Sequence, residues 1–516
     1  MSGTIFSIIP PIIAILMVIL TRRVLLSLGV GIVSAALLLK DFSIADSGMV
    51  IINAVKGIFI SEGELNTWNV YIILFLLILG IVTALISISG GSRAFGEWAQ
   101  KRVKTRTGAQ FTAAILGILI FIDDYFNALA VGQVSRPITD RQKVSRAKLA
   151  YIIDSTSAPV CVVSPISSWG AYIIAMIATI LTTHGVTEFT PLGAFMTMIP
   201  MNYYVFAALV LVFAVAYFNI NIGSMKVHED RAIQTGQVVD PSKEALGEIK
   251  EDLPTSDKGT IGNLVWPILS LIIGTVASML YTGYSAIEDK SAVDIFAIFE
   301  NTDVSASLLY GGLFGLAITI ILFFSRGING RYLPLAIIEG VKSMLPAIYI
   351  LLFAWVIVDL IGQLSTGEYL AGIVEKSNLN LSYLPVVMFI LAAFMAFATG
   401  TSWGTFGIML PIAGEITAAT DINMLLAAMA AVLAGSVLGD HCSPISDTTI
   451  LSSTGAGSHH IDHVLTQLPY ALIGGGVATI GYLVLGFTGS SLVGLLTISI
   501  LLVGFIFIFA KRAKAV

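Results

Sequence analysis

The chain has 516 residues and a formal net charge of −5; 56% of its residues are hydrophobic and only 11% are charged. Soluble domains carry about 25% charged residues, so a soluble domain is excluded and a polytopic membrane protein is described. The net charge is small and says nothing about partners; no nucleic-acid partner is expected.

Thr4 to Leu20 lacks a basic n-region and a small-residue cleavage site, so it reads as a retained span and not a signal peptide. Apolar runs of about 17 residues or more fall at 4–20, 24–40, 69–89, 147–183, 192–220, 261–284, 305–325, 343–364, 423–456, 466–487 and 491–510. These predict about eleven crossings, with 147–183 and 423–456 broken. Two further segments, 107–135 and 383–420, are apolar but interrupted near their centres. Cys161 and Cys442 fall within the broken spans and read as reduced buried thiols, not a disulfide.

Lys and Arg favour the cytoplasmic side. Arg22 and Arg23 follow the first span; Lys101, Arg102, Lys104 and Arg106 follow the third; Arg326, Arg331 and Lys342 follow the seventh; Lys511, Arg512 and Lys514 close the chain. Loops 41–68, 184–191 and 285–304 are acidic or neutral, the last with Glu288, Asp289, Asp294, Glu300 and Asp303. The alternation predicts an N-terminus outside and a C-terminus inside; the expected location is the plasma (inner) membrane of a prokaryote. Segment 107–135 has basic flanks on both sides, so it reads as a re-entrant hairpin with its tip at Ile122–Asp123–Asp124–Tyr125–Phe126–Asn127. Segment 383–420, with weakly charged flanks at Glu375, Lys376, Glu415 and Asp421, reads as a second hairpin entering from outside. Its tip is Ala398 to Gly404.

The stretch Asp154 to Gly170, DSTSAPVCVVSPISSWG, places one carboxylate, six hydroxyls, two prolines and a glycine inside a span. Proline removes a backbone donor. Unwound backbone at membrane depth persists only where it is buried in protein or lines a watery cavity. An ionisable residue there reads as a binding or transport site. Ser164-Pro165-Ile166-Ser167 recurs as Ser443-Pro444-Ile445-Ser446 inside GDHCSPISDTTILSSTG. The two copies predict the paired broken helices of a duplicated secondary transporter. The expected architecture is all-α: a first repeat over 1–220, a linker loop over 221–260, a second repeat over 261–487 and an extra helix over 488–516. Each repeat holds three spans, a hairpin, a broken span and a closing span, and the second is inverted. The linker reads as a solvated cytoplasmic connection, with a regulatory role as the alternative.

FIDDYFNALAVG, DSTSAPVCVVSPISSWGAY and GDHCSPISDTTILSSTGA followed by HIDHVLTQLPYA resemble the NhaC-type sodium/proton antiporter family of the ion transporter superfamily. The resemblance covers most of both halves. It implies a dimeric carrier with a scaffold and a moving transport domain, an elevator-like shift, and sodium and protons as coupling ions, without any cofactor. Relatives in that group also carry organic acids and amino acids, so a small organic solute is a further cargo to consider.

The residues support an ion site in their own right. A desolvated sodium ion takes about five or six oxygen ligands, and hard cations prefer carboxylates, hydroxyls and carbonyls. Broken helices expose free carbonyls and amides. Asp154, Ser155, Thr156, Ser157, Ser164 and Ser167 form one candidate set; Asp440, Ser443, Ser446, Asp447, Thr448 and Thr449 form the other. The hairpin tips add Asp123, Asp124, Asn127, Thr399, Thr401 and Ser402. A carboxylate that holds either the ion or a proton would couple the two, and Asp154 and Asp440 lead, followed by Asp447 and Asp124. Bland alternatives stand beside these. Asp123 or Asp124 can cap the returning helix, as Asp447 can cap the helix near Thr449. Trp169 and Trp403 are packing residues or faces for an organic cation. His441 is a structural partner or a proton relay. His459, His460 and His463 with Asp462 lie in an expected cytoplasmic loop and suggest no metal beyond sodium.

The expected core holds carboxylates and no Lys or Arg, which favours a cationic or zwitterionic cargo over a dianion. Sodium/proton antiport leads, with a sodium- or proton-coupled transporter of an amino acid or small organic acid as the alternative. An intramembrane aspartyl protease is remote, because Ser436 stands where a GxGD sequence has its first glycine. A channel is also disfavoured, since opposed half-depth hairpins suggest alternate gates. The reading is a carrier and not an enzyme.

Overall fold

A computed structural model describes the chain except residues 1, 22, 62, 122, 166, 244–254, 288, 289, 291, 292, 326, 327, 367, 368, 370, 371, 373–379, 515 and 516. Arg22, Ile122, Ile166, Glu288, Asp289, Arg326, Glu375, Lys376 and the centre of the linker therefore lie outside the described residues. The regular secondary structure described is helical apart from a two-stranded ribbon, Ile60–Ser61 against Glu64–Leu65. That follows from the composition, because backbone groups in hydrocarbon must be satisfied within their own segment.

The order of elements repeats. Ile9–Thr21, Val24–Leu39 and Thr67–Ile88 precede a helical pair, Arg106–Leu119 and Asp124–Arg141. A broken helix follows, Arg146–Cys161 and Ser168–Thr183, then Tyr203–Phe218. The second succession is Gly262–Ala286, Val304–Ser325 and Leu333–Gln363, then the pair Leu384–Thr399 and Ser402–Ala419. Leu425–Cys442 and Asp447–Ala456 form its broken helix, and His460–Thr488 closes it, with Ser491–Lys514 left over. Among the described residues, eight helices are long and apolar enough to cross a membrane. A ninth is the pair Pro191–Met201 and Tyr203–Phe218, bent by 51°, if taken as one span. The first two expected spans and both arms of the first broken span are shorter than these.

Helices outside the expected spans include Ile44–Phe59, Gly91–Arg102 and Ser224–Thr235. The last lies in the linker, and it corrects the picture of a merely solvated connection. Met225 and Glu229 are buried, and the Glu229 carboxylate is bound by Arg106, by Lys148 Nζ at 3.0 Å and by the Ser145 amide at 2.8 Å. Lys243 of the same linker pairs with Asp462. The linker is thus strapped to the first helical pair, the first broken helix and the closing helix of the second half.

The two halves interlock through small residues. A Cβ on Gly132, in Asp124–Arg141, would overlap the Gly455 carbonyl in Asp447–Ala456. Such close backbone approach is how helices pack where no hydrophobic force separates them from lipid. One large core joins the early helices, Ala113 to Ile153, Met344 to Leu364 and Ile445 to Tyr470. Another joins Ala158 to Ala208 with Leu384 to Val437 and Ala478 to Ile498. The second arm of each broken helix therefore packs into the other half.

Candidate functional site

The helical breaks fall where the repeated Ser-Pro stands. The first spans 162–167, between Cys161 and Ser168, and the second spans 443–446. Ser167 caps the helix after the first break, accepting from the Gly170 amide at 2.9 Å. Ser446 caps the helix after the second, accepting from the Thr449 amide at 3.4 Å. The expectation that Asp447 caps that helix is corrected: Asp447 is its first residue, and Ser446 is the cap.

Asp154, Ser155, Thr156 and Ser157 do not sit on unwound backbone. The helix Arg146–Cys161 runs through them and through Pro159. Thr156 Oγ1 donates to the Ile152 carbonyl at 2.8 Å and Ser157 Oγ to that of Asp154 at 3.1 Å, so these hydroxyls are absorbed by their own helix. Ser164 Oγ likewise donates back to the Val160 carbonyl at 2.7 Å.

Asp154 is the centre of a closed network. Its Oδ1 accepts from Ser452 Oγ at 3.1 Å, and its Oδ2 from His463 Nε2 at 3.2 Å and from Gln467 Nε2. His441 Nε2 binds its backbone carbonyl at 2.9 Å, and His441 Nδ1 faces the Tyr204 hydroxyl at 3.0 Å. The carboxylate is filled by protein donors from two other helices. His460 and His463 are buried in the first turn of His460–Thr488, which corrects their placement in a solvent-facing loop.

A second group gathers at the first pair's tip and the second break. Asp123 caps the returning helix, accepting from the Phe126 amide at 2.9 Å. Asp124 Oδ1 accepts from Trp169 Nε1 at 2.8 Å, and its buried Oδ2 has no partner. Asp440 Oδ2 accepts from Ser402 Oγ at 2.9 Å and Thr448 Oγ1 at 3.4 Å, and its buried Oδ1 has no partner. Asp447 accepts from the Tyr125 hydroxyl and from the Thr448 amide at 2.9 Å. Asn127 Nδ2 donates to the Gly117 and Ile120 carbonyls, both at 2.6 Å, leaving its own buried Oδ1 without a partner. Asp123, Asp124, Asp440 and Asp447 are close enough for their charges to act on one another. The donors to Asp124, Asp440 and Asp447 are neutral. Like charges this close repel, and a cation among them relieves the repulsion.

The other expected residues are dispersed. Ser443 Oγ donates to the Phe397 carbonyl at 2.9 Å, tying the second break to the neighbouring helix. Thr399 and Thr401 line a separate cavity of about 130 Å³ with Val358, Ile361 and Ser365. Trp403 packs on Trp169 and Tyr172, with centroids 5.8 and 4.9 Å apart. Both cysteines are free, and Cys161 Sγ contacts the Phe121 carbonyl at 3.3 Å. The sequence reading missed Tyr125, Ser452, Gln467 and the bonding of His463. The signal was present in HIDHVLTQ, where His463 and Gln467 stand four apart and share one helix face.

The chain is similar to known membrane transporters. The profile of the Na+/H+ antiporter family matches residues 160–487. An uncharacterized protein of Haemophilus influenzae is 48% identical over 513 residues, covering 99% of this chain and 96% of that one. An uncharacterized Na+/H+ antiporter of the same organism is 36% identical over 140 residues, 26% of this chain and 29% of that one. A malate-2H+/Na+-lactate antiporter of Bacillus subtilis is 29% identical over 177 residues, 33% of this chain and 36% of that one. The YdaH transporter of Alcanivorax borkumensis aligns over 86% of this chain and 90% of its own at 14% identity, with a TM-score of 0.34, too low to transfer any detail. A profile match over more than half of a many-helix membrane protein places it among secondary transporters and not enzymes: the chain belongs to the Na+/H+ antiporter family.

Proposed function

We propose that the protein exchanges sodium for protons across the plasma membrane of a prokaryote, using Asp124 and Asp440 as the principal cation-binding carboxyls. One observation carries this reading. Both are buried, both are held by neutral donors, and each keeps an oxygen with no partner. Buried charges are ordinarily paired, so a pair left open to a cation is arranged for one. Asp447, Asn127, Ser402 and Thr448 supply further oxygens nearby. Asp154, whose oxygens are all taken by protein donors, holds helices together and is not a ligand.

The alternating charge of the loops and the doubled order of elements support inverted repeats, with helical pairs that are re-entrant and an N-terminus outside. The resemblance of the motifs supports a homodimer working by an elevator-like shift. A second reading, ion-coupled carriage of an amino acid or small organic acid, is favoured by the cavity beside Thr399 and Thr401. The name of the Bacillus subtilis relative, a malate and lactate exchanger, points the same way.

The test uses purified protein in sodium-free liposomes with a trapped pH dye. Sodium added across a proton gradient is expected to drive proton flux, which Asp124→Asn and Asp440→Asn sharply reduce at low sodium. Flux that appears only with an amino acid or hydroxy acid establishes the second reading. No flux with sodium, potassium or lithium overturns cation/proton exchange.

A further inference from the structure

We propose that His463 carries the exchanged proton on a site separate from the carboxyls that bind the cation, an inference that rests on the antiport reading above. Three buried histidines surround Asp154. The His441 ring is used at both nitrogens, Nε2 on the Asp154 carbonyl and Nδ1 on Tyr204. The His460 ring is too, with Nε2 on the Pro444 carbonyl at 2.8 Å and Nδ1 facing Ser453 Oγ at 3.3 Å. His463 differs. Its Nε2 meets Asp154 Oδ2, while its Nδ1 is fully buried and has no partner.

An ionised carboxylate only accepts hydrogen bonds, so Nε2 carries the ring proton and Nδ1 presents a lone pair. A proton from hydronium in the solvent, which is left as water, adds to that lone pair and yields an imidazolium whose Nε2 lies 3.2 Å from the Asp154 carboxylate. The new charge is then paired through Nε2 with Asp154, and no hydrogen bond within the protein is broken. Its surroundings suit it. Ser452 and Gln467, the other donors to Asp154, are neutral. Asp154 faces the ring from Arg146–Cys161, His441 from Leu425–Cys442, and His460 from its own helix. Tyr204 lies on Tyr203–Phe218 and Ser453 on Asp447–Ala456. Asp462, next in sequence, is already paired with Lys243.

The same contacts link this site to the cation carboxyls. Gln467 Nε2 bridges Asp154 Oδ2 and the His441 carbonyl, the latter at 2.8 Å, and His441 follows Asp440 in the chain. Asp154, which His463 bonds, is near enough for its charge to act on Asp440, so a positive charge on His463 and a cation at Asp440 repel one another. Each therefore weakens the other's binding, and by linkage the effect is reciprocal. Sodium binding expels the proton without the two sharing an oxygen.

The test compares wild-type protein with His463→Gln, which keeps an N–H for Asp154 but has no group to take a proton. Protein in weakly buffered detergent receives sodium chloride, with choline chloride as control. Protons released are read with a dye, and sodium bound with radioactive sodium. His463→Gln is expected to release at most half as many protons per sodium bound and to flatten the pH dependence of sodium affinity. Equal release with an unchanged profile overturns the proposal and leaves His463 as a partner of Asp154 only. Wild-type protein that binds sodium without releasing protons sinks the antiport reading itself, and the proposal with it. Should His463→Gln fail to fold, wild-type protein labelled with 15N-histidine serves instead. One imidazolium signal that becomes neutral on sodium addition, and persists in His184→Gln, His228→Gln and His459→Gln, supports the proposal. No such conversion in any of the six histidines overturns it.

Discussion

Asparagine at position 440 keeps an oxygen for Ser402 and Thr448 but removes the charge on the atom that has no protein partner. Interactions with a charged group are worth about 1.5–3 kcal/mol, so Asp440→Asn should weaken sodium binding roughly tenfold to a hundredfold and leave thermal stability nearly intact. Asparagine at position 154 does the reverse. Its amide turns a donor toward donors, His463 Nε2 and Gln467 Nε2, and leaves a buried network half satisfied. Asp154→Asn should therefore lower the melting temperature in detergent. A stable Asp154→Asn protein that no longer binds sodium would make Asp154 a ligand after all. From sequence the two aspartates looked alike, each beside hydroxyls in an interrupted span. What separates them is long-range: Ser452, His463 and Gln467 lie some three hundred residues from Asp154, and no local pattern shows which carboxylate they fill.

At the scale of the element, the repeated Ser-Pro located both helical breaks, because proline and a capping serine act within a turn. The length of the first break was overread. Serine and threonine hydroxyls bond back to carbonyls three or four residues earlier, so a polar run inside a membrane helix need not unwind it. The linker was misjudged for the opposite reason. Ser224–Thr235 is polar in composition, yet Glu229 is buried against Lys148, Arg106 and the Ser145 amide. Burial alone would raise the Glu229 carboxyl; Lys148, Arg106 and that amide outweigh it and hold it below the usual carboxylate range. A carboxyl lowered on folding stabilises above its unfolded value, about 4.3, and loses that contribution as pH falls through the folded value. The linker should thus stay docked at neutral pH and loosen only under strong acid. Hydrogen exchange over 224–235 as a function of pH checks this. Glu229→Gln leaves Lys148 without its carboxylate, a loss of about 3–5 kcal/mol for a broken buried pair. It should release the segment even at pH 7; protection equal to wild type at that pH would refute the clamp.

At the scale of the whole molecule, the multi-helix membrane fold was legible because hydropathy and loop charge are summed over many residues and survive local error. The number of crossings is less so, since length separates long helices from lipid but cannot say whether a shorter pair turns back. The number turns on the first pair. Lys104 precedes Arg106–Leu119 and Arg141 ends Asp124–Arg141, and both are exposed. Two helices of 14 and 18 residues rise about 1.5 Å per residue, each roughly 21–27 Å, just short of a hydrocarbon core about 30 Å thick. Length therefore permits a re-entrant hairpin, and the basic residues at both ends favour it, since either flank placed outside would break the charge bias. Single cysteines at Lys104, Arg141 and Thr187, in a protein with Cys161 and Cys442 replaced, test this with a membrane-impermeant maleimide. Thr187→Cys should label in intact cells, and Lys104→Cys and Arg141→Cys only after the membrane is opened. Labelling of Lys104→Cys and Arg141→Cys from opposite sides would make one arm a full crossing, and the inverted relation between the halves would fall with the hairpin.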